Sequence, residues 1–179
     1  MPHAHGHGSH ERHDASPLHA VVITVSDRSA AGERDDASGP VAVAALRDDG
    51  YECGVPSVVP DGEESVAAAI GTALSGGARL VVTTGGTGLS PRDRTPEGTR
   101  LLLTREIPGI AEELRRLGAA EKPAGMLSRG LAGVVDASGD RAGALVVNLP
   151  GSPAAVASGM PVILSVARHV IDQLGGGDH

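Results

Sequence analysis

The sequence predicts an α/β fold of three layers, in which helices cover both faces of a mostly parallel central sheet. Short runs rich in Val and Ile alternate with longer segments that carry a helical pattern of apolar residues. Several of these runs end in polar loops that contain glycine. This alternation is typical of right-handed crossovers between parallel strands. Ligands are therefore expected beyond the carboxyl ends of the strands, where sheets of this kind place their sites.

The first half of the chain contains three predicted strands separated by two predicted helices. Residues 18–25, LHAVVITV, form the first strand, and Ser38 or Gly39 is expected to cap the helix that follows. The second strand is predicted from Tyr51 to Val59, and a helix with acidic residues in its first turn comes after it. RLVVTT, residues 79–84, forms the third strand. This part of the chain is therefore expected to be a βαβαβ unit.

The second half adds further helices and two more strands. Thr95 is expected to cap a helix whose first turn holds a proline and an acid. IPGIAEELRRLG supplies another helix, in which Glu112 and Arg116 have the spacing of an ion pair. Two strands joined through residues 138–140 follow, and Pro153 leads into the C-terminal helices. The loop from Asn148 to Pro153 is thus a further strand-end loop.

The chain length fits one domain of ordinary size. With 179 residues it can bury a sizeable core, and we expect a single domain over residues 18–175. Residues 1–17 carry five histidines among Gly, Ser and Pro, without any apolar periodicity. We interpret them as a disordered His-rich tail, which is either a solvated extension or a weak Zn or Ni binder.

Composition disfavours several classes of function. The formal charge of −7 repels nucleic-acid backbones, and Tyr51 is the only aromatic residue, so bases have no stacking platform. No apolar run approaches the length of a membrane span, and the N-terminus lacks the apolar core of a signal peptide. Cys53 is the only cysteine and is interpreted as a small buried hydrophobe. We expect a cytoplasmic protein that binds a small molecule, with no nucleic acid and no membrane.

A glycine-rich loop follows the third strand. In GGTGLSPRDRTPE, residues 85–97, the glycines could let backbone N–H groups approach an anion, or could form a purely structural turn. The loop lacks the Lys-Ser/Thr of a P-loop, and Pro91 stands where a dinucleotide-binding motif needs a glycine. Arg92 and Arg94 could neutralise phosphate oxygens. The loop is therefore a phosphate-binding candidate that matches neither common template.

Two aspartates from separate loops could hold Mg²⁺. Asp93 lies between the two arginines, and Asp61 follows the second predicted strand, at the same edge of the sheet. Carboxylates beside a basic phosphate loop suit nucleotidyl transfer. Composition and spacing leave a second interpretation equally open, in which Asp61 caps the next helix and Asp93 pairs with a neighbouring arginine.

Longer motifs carry a resemblance to a known family. ITVSDRSAAGERDDASGP, VVPDGEE, VVTTGGTGLSPRDRTPEGTR, GMLSRGLAGV and VNLPGSPAAV occur in the order seen in the MogA/MoaB family of molybdenum-cofactor biosynthesis proteins. The likeness covers residues 18–174. Residues 83–97, TTGGTGLSPRDRTPE, identify this family much more specifically than a pattern of three glycines would. The chain therefore resembles this family over all but its His-rich tail, and the resemblance implies a molybdopterin-binding-type fold.

The resemblance implies an activity and a set of residues. The implied reaction is Mg²⁺-dependent transfer of AMP from ATP to the terminal phosphate of molybdopterin, with release of pyrophosphate. Asp61 and Asp93 match the two aspartates on which the family depends, and we expect both to be catalytic and to hold Mg²⁺. The expected binding residues for molybdopterin and the nucleotide are Ser26, Asp27, Arg28, Gly85, Gly86, Thr87, Gly88, Arg92, Thr95, Glu97, Gly151, Ser152 and Pro153.

The same resemblance leaves an alternative function open. Gly62 follows Asp61 where many members carry an acid, and the chain lacks the insertion that longer MogA-type enzymes have after NLPGSP. The first departure bears on how Asp61 is positioned. The missing insertion makes the chain closer to the short MoaB-type branch, for which a non-catalytic molybdopterin-binding or carrier oligomer is the rival hypothesis. The family likeness also implies a homotrimer, with a hexamer as the second arrangement, and a molybdate-insertase partner.

Overall fold

The computed structural model describes residues 16–177. The predicted His-rich tail, including its proposed metal binding, lies outside the described residues except for Ser16 and Pro17.

Within residues 16–177 the chain forms a seven-stranded sheet in the order β2-β1-β4-β7-β6-β5, with β3 also paired to β1. The pairs that β1 makes with β2, β3 and β4 are parallel, as is the pair of β4 with β7, whereas β5 and β6 are antiparallel to their neighbours. The carboxyl ends of β1, β3, β4 and β7 therefore meet at one edge. The strands are β1 His19–Val25, β2 Glu52–Cys53, β3 Ser57–Val59, β4 Leu80–Thr84, β5 Arg105–Glu106, β6 Ala132–Val135 and β7 Ala144–Leu149.

Helices cover both faces of this sheet. The helices are α1 Asp27–Ala30, α2 Gly39–Asp48, α3 Glu63–Ser75, α4 Thr95–Arg100, α5 Pro108–Glu121 and α6 Pro153–Leu174, with a 3₁₀ turn at Pro123–Leu127. Residues of α2, α5 and α6 pack in one hydrophobic cluster and residues of α3 in the other. Along β4, Leu80 and Val82 belong to the first cluster and Val81 to the second, as alternation across a strand requires. The predicted three-layer α/β fold with a mostly parallel sheet is confirmed.

Several predicted elements differ in detail. The strand expected from Tyr51 to Val59 is two short strands, β2 and β3, interrupted at residues 54–56, where Pro56 has no N–H to donate to a ladder. The C-terminal helices expected after Pro153 are one helix of 22 residues that continues through Pro161. The short elements α1 and β5 were not predicted, because neither is long enough to show a period.

Both predicted helix caps at the site are replaced by other contacts. The Asp36 carboxylate, rather than Ser38 or Gly39, accepts hydrogen bonds from the first amides of α2, with Oδ1 at 3.0 Å from Ser38 N and 2.9 Å from Gly39 N. Thr95 is the first residue of α4 and does not cap it; its hydroxyl donates to the Gly85 carbonyl at 2.9 Å. Long-range contacts in the folded loops thus override the local capping signals.

Helix α6 is long and apolar enough to cross a membrane by length and composition alone, with a mean hydropathy of 1.5 over its most apolar window. This is contrary to the expectation that no segment would reach that length. However, α6 buries Val156, Ile163 and Ile171 in the larger hydrophobic cluster against the sheet. A core helix of an α/β domain has this composition without entering a membrane.

Candidate functional site

A cavity of about 480 Å³ opens at the edge where the parallel strands end. Residues of the loops that follow β1, β3, β4 and β7 line it, together with residues of α5, the 3₁₀ turn and the first turns of α6. Its size lies within the range of small-molecule sites. Nine of the predicted site residues line it: Ser26, Asp61, Gly85, Gly86, Thr87, Gly88, Asp93, Gly151 and Ser152.

The glycine loop after β4 folds tightly against neighbouring segments. Gly85 has φ of 103°, and a Cβ atom there would lie 2.2 Å from the carbonyl oxygen of Val25 at the end of β1. Gly86 has φ of 64°, and its Cβ would lie 2.2 Å from the hydroxyl oxygen of Thr95. Only glycine combines these backbone angles with such close packing. The loop is therefore held at the sheet edge by β1 and α4.

Successive amides of this loop remain available to a ligand. Among the described residues, the N–H groups of Gly86, Thr87 and Gly88 donate to no protein acceptor, whereas Gly85 N donates to the Leu149 carbonyl at 2.9 Å. The three residues line the cavity. Consecutive amides with no internal partner form an anion-binding concavity. The interpretation of the loop as an anion site is therefore structurally reasonable, although its sequence matches no common template.

Asp61 is held by reciprocal hydrogen bonds with the loop after β1. Its Oδ2 accepts from Asp27 N at 2.8 Å, and its own N–H donates to Asp27 Oδ1 at 3.0 Å. Burial raises the pKa of Asp61, with the nearby negative charges of Asp27 and Asp93 acting in the same direction. The alternative role of Asp61 as a helix cap is wrong, because α3 begins after Gly62 and has no side-chain cap.

Arg92 contacts protein groups rather than an open phosphate site. Its guanidinium donates to both carboxylate oxygens of Asp27, at 3.0 and 2.9 Å, and to the Asp61 carbonyl at 2.6 Å. These hydrogen bonds are the main reason that the pKa of Asp27 is lowered. Arg92 therefore connects the glycine loop to the segment that holds Asp61.

Asp93 closes a turn within the glycine loop. Its Oδ2 accepts from Ser90 N at 2.9 Å, and its N–H donates to the Ser90 carbonyl at 2.9 Å. The carboxylate lies against Gly88, where a Cβ atom would come within 2.8 Å of Oδ2. The alternative that Asp93 pairs with a neighbouring arginine is not what the structure shows, because Arg92 pairs with Asp27 and Arg94 lies 3.9 Å from Glu97.

Six predicted binding residues lie outside the cavity lining: Asp27, Arg28, Arg92, Thr95, Glu97 and Pro153. Asp27, Arg92 and Thr95 support lining residues through the contacts described above. Glu97 forms an ion pair with Arg129. Although burial alone would raise the pKa of Glu97, hydrogen bonds from Arg129 and the backbone and the charges of Arg129 and Arg94 leave it lowered. Arg94 also lies outside the lining.

The ion pair expected on α5 has a different partner. Arg116 pairs with Glu113 at 2.7 Å rather than with Glu112. The two residues are three positions apart and exposed, which is the other spacing that brings side chains together on a helix.

The cations that line the cavity were not singled out from the sequence. They are Arg34, Arg115 and Lys122, and Arg115 also donates to the Gly130 carbonyl at 3.1 Å. For α5, the sequence indicated only the spacing of an ion pair between Glu112 and Arg116. The apolar period of this helix indicates which residues face the core, but not which charges border a cavity formed with another element.

Asn148 is a buried residue whose side chain connects several elements of the site. The sequence indicated only that it begins a loop. Its Nδ2 donates to the hydroxyls of Thr83 and Thr99, both at 2.9 Å, and its Oδ1 accepts from Leu131 N at 3.0 Å. It thereby joins β7, β4 and α4 below the cavity. An amide side chain at the end of an otherwise apolar strand is the signal that could have found it.

The fold and the cavity define a class of protein, an α/β domain that binds a small molecule beyond the carboxyl ends of a mostly parallel sheet. Comparison with known families is more specific. The family model described as "Probable molybdopterin binding domain" matches residues 21–169. The chain belongs to this family, and the resemblance to MogA/MoaB proteins is confirmed.

Similar proteins agree with this assignment. The chain is 38% identical over 151 residues to the molybdopterin adenylyltransferase of Pyrococcus furiosus, covering 84% of this chain and 87% of that protein. It is 40% identical over 160 residues to the molybdenum cofactor biosynthesis bifunctional protein of Synechococcus elongatus, covering 89% of this chain but only 48% of that protein. The chain thus spans about half the length of this bifunctional relative.

A solved structure of the molybdopterin biosynthesis enzyme MoaB from Thermus thermophilus is similar throughout. It has a TM-score of 0.79 and 37% identity, covering 89% of this chain and 97% of that one.

Proposed function

We propose that this protein is a molybdopterin adenylyltransferase of molybdenum-cofactor biosynthesis. It would transfer AMP from Mg-ATP to the terminal phosphate of molybdopterin and release pyrophosphate. The observation that carries the proposal is a single cavity that combines the unpaired amides of residues 86–88 with the carboxylates of Asp61 and Asp93. The name of the relative from Pyrococcus furiosus supports the same reaction.

Phosphate groups would bind where the cavity offers positive electrostatic potential. The amides of the glycine loop form one such position, and the N-terminus of the 22-residue helix α6, at Gly151 and Ser152, forms another. Arg34, Arg115 and Lys122 also line the cavity and add full positive charges. Two anion positions in one cavity suit a reaction that brings together two phosphorylated substrates.

Asp61 and Asp93 fit Mg²⁺ as ligands. Their oxygens are hard donors, and the described residues contain no cluster of three or more His, Cys, Asp or Glu side chains that could hold a metal. Mg²⁺ commonly binds through one or two carboxylates together with substrate phosphates, which agrees with this sparse set. When bound, the ion would offset negative charge on the phosphates.

The reaction needs positioning rather than a covalent nucleophile in the protein. A terminal phosphate oxygen of molybdopterin attacks the α-phosphorus of ATP, the bond from that phosphorus to the bridging oxygen breaks, and pyrophosphate leaves with the electron pair. The glycine-loop amides and the α6 N-terminus would hold the phosphates in line. The cavity walls would hold the rest of the substrates and limit access of water.

The test is to incubate the purified protein with molybdopterin and Mg-ATP and to measure adenylylated molybdopterin and pyrophosphate. We expect both products in equal amounts. Molybdopterin binding without product would contradict the enzyme and favour the alternative, a non-catalytic carrier oligomer of the short MoaB type.

Asp93→Asn should lower turnover by about 10²-fold or more, because it removes a carboxylate that would hold Mg²⁺ beside the reacting phosphates. The overall fold should be retained, since Asp93 lies in a loop outside both hydrophobic clusters. Product formation and circular dichroism measure the two effects. Asp140→Asn, the same change in the exposed turn between β6 and β7, is the matched control. Equal turnover by both variants would place the reaction elsewhere.

The family likeness is the basis for a proposal on the oligomeric state, the cellular compartment and the protein partner. We infer a homotrimer, with the hexamer as the alternative arrangement, acting in the cytoplasm beside a molybdate-insertase partner. Exposed apolar side chains at Leu89, Leu101 and Met126 support burial against other chains.

A further inference from the structure

We propose that Arg129 and Glu97 are a positioning pair that fixes the loop carrying Asp93 for adenylyl transfer. This inference rests on the function proposed above, and it replaces the predicted role of Glu97 as a binding residue. Neither residue lines the cavity. Glu97 lies in the first turn of α4, and Arg129 forms an ion pair with it.

Arg129 contacts the glycine loop at both of its ends. Its backbone N–H donates to the Thr87 carbonyl at 2.9 Å, and its Nε donates to the Gly88 carbonyl at 2.8 Å. At the other end of the loop, Nη2 donates to the Asp93 carbonyl at 2.6 Å. One side chain therefore sets the separation between Gly88 and Asp93.

That separation matters because few other contacts fix the Asp93 carboxylate. Among the described residues, it accepts a hydrogen bond only from Ser90 N within the loop, and it lies against Gly88. The close packing of Gly85 and Gly86 restrains the start of the loop and not the stretch from Gly88 to Asp93. If the carbonyls of Gly88 and Asp93 separated, the Asp93 carboxylate would move relative to the cavity.

Glu97 orients the guanidinium for this task. Its Oε1 accepts a hydrogen bond from Arg129 Nη1, leaving Nε and Nη2 for the two loop carbonyls. The side chains are only 34% and 25% exposed, so water screens the pair weakly. The three acceptors match the planar fork of arginine, and a lysine ammonium cannot satisfy them in the same geometry.

The experiment compares Arg129→Lys with Arg116→Lys in the full chain. Arg116 is the matched control because it forms the same kind of ion pair, with Glu113, on the exposed side of α5. Turnover numbers and KM for molybdopterin are measured together with hydrogen exchange at the amides of Ser90 and Asp93. Exchange reports the order of the loop whether or not the protein turns over.

For Arg129→Lys we expect kcat to fall by about 10²-fold, the loss that a misplacement of about 1 Å can cause. KM should change far less, because the phosphate-binding amides remain, and exchange at Ser90 and Asp93 should be faster. Arg116→Lys should match the wild type in every measurement. Glu97→Gln, which keeps the size of the side chain, should lower kcat by a smaller factor and provides the same test if Arg129→Lys does not fold.

Unchanged exchange at Ser90 and Asp93 in both site variants would overturn the positioning role, as would a rise in KM at constant kcat. If the wild type forms no product, the proposed function fails. The exchange data alone then decide whether Arg129 and Glu97 hold the loop.

Discussion

At the scale of single residues, the site contains a carboxylate, that of Asp61, whose surroundings disfavour its negative charge. Asp61 is partly buried, and its pKa lies above the ordinary aspartate value of 3.8, chiefly because of that burial. Folding therefore disfavours the ionised form of Asp61 relative to the unfolded chain. A carboxylate kept in such a position is typical of a functional site. In the proposed reaction, bound Mg²⁺ would supply the positive charge that favours the ionised form.

Asp61→Asn should consequently make the free protein more stable at neutral pH while abolishing most of its turnover. The sign follows from the raised pKa: wild-type stability attributable to this group is complete below pH 3.8 and is lost as pH rises through the raised value. The gain in melting temperature should therefore be largest near pH 7 and should shrink as pH approaches 4. Melting curves of wild type and variant across this range measure it. A gain that does not depend on pH would show that ionisation of Asp61 is not its cause.

At the scale of elements, the glycine loop is a junction between β1, β4 and α4 rather than a flexible connection. Gly85 packs against the backbone of β1, and Gly86 packs against Thr95. Gly151, in the loop after β7, is also close: a Cβ atom on Gly151 would lie 3.1 Å from the Cα of Gly85. The loops at the sheet edge thus support one another. Mutations in the loop are expected to affect both stability and binding.

Gly85→Ala should destabilise the protein by about 1–3 kcal/mol, because alanine is strained at this positive φ and its Cβ would meet the Val25 carbonyl. Gly71→Ala is the matched control. Gly71 lies inside α3 with nothing within 4 Å of its Cβ position, so alanine should stabilise the protein by about 0.5–1 kcal/mol. Urea unfolding measures both changes. Destabilisation of similar size in the two variants would contradict the proposed junction.

An element can be predicted from the sequence when its apolar pattern is long enough to recognise, whereas contacts between residues far apart in the chain cannot. The strands β1, β4 and β7 and the helices α2, α3 and α5 have apolar patterns long enough to recognise, and parallel order then places their end loops at one edge. The partners of the charges were not predictable in this way. Arg92 contacts Asp27, 65 positions away, and Arg129 contacts Glu97, 32 positions away, so neither pair has a local signature. Arg92, which was expected to bind phosphate, is for this reason found holding two loops together.

At the scale of the whole molecule, the surface carries large apolar side chains that a single chain leaves in water. Leu89 is 67% exposed, Leu101 65% and Met126 63%, although the composition contains neither Phe nor Trp. The cavity, by contrast, is lined within one chain by residues that include both acids, such as Asp61 and Asp93, and cations, such as Arg115 and Lys122. Assembly would therefore bury the apolar side chains without being required to complete the pocket.

We accordingly predict a homotrimer that binds one molybdopterin per chain. Light scattering behind size exclusion should give about three times the chain mass of 17.9 kDa, and about six times that mass would indicate the hexamer. Calorimetric titration should give a stoichiometry of one for each chain, because each chain supplies its own glycine loop, Asp61 and Asp93. A monomer at micromolar concentration would contradict the assembly. A stoichiometry of one per trimer would instead show that chains share a site, and the cavity described here would then be incomplete in a single chain.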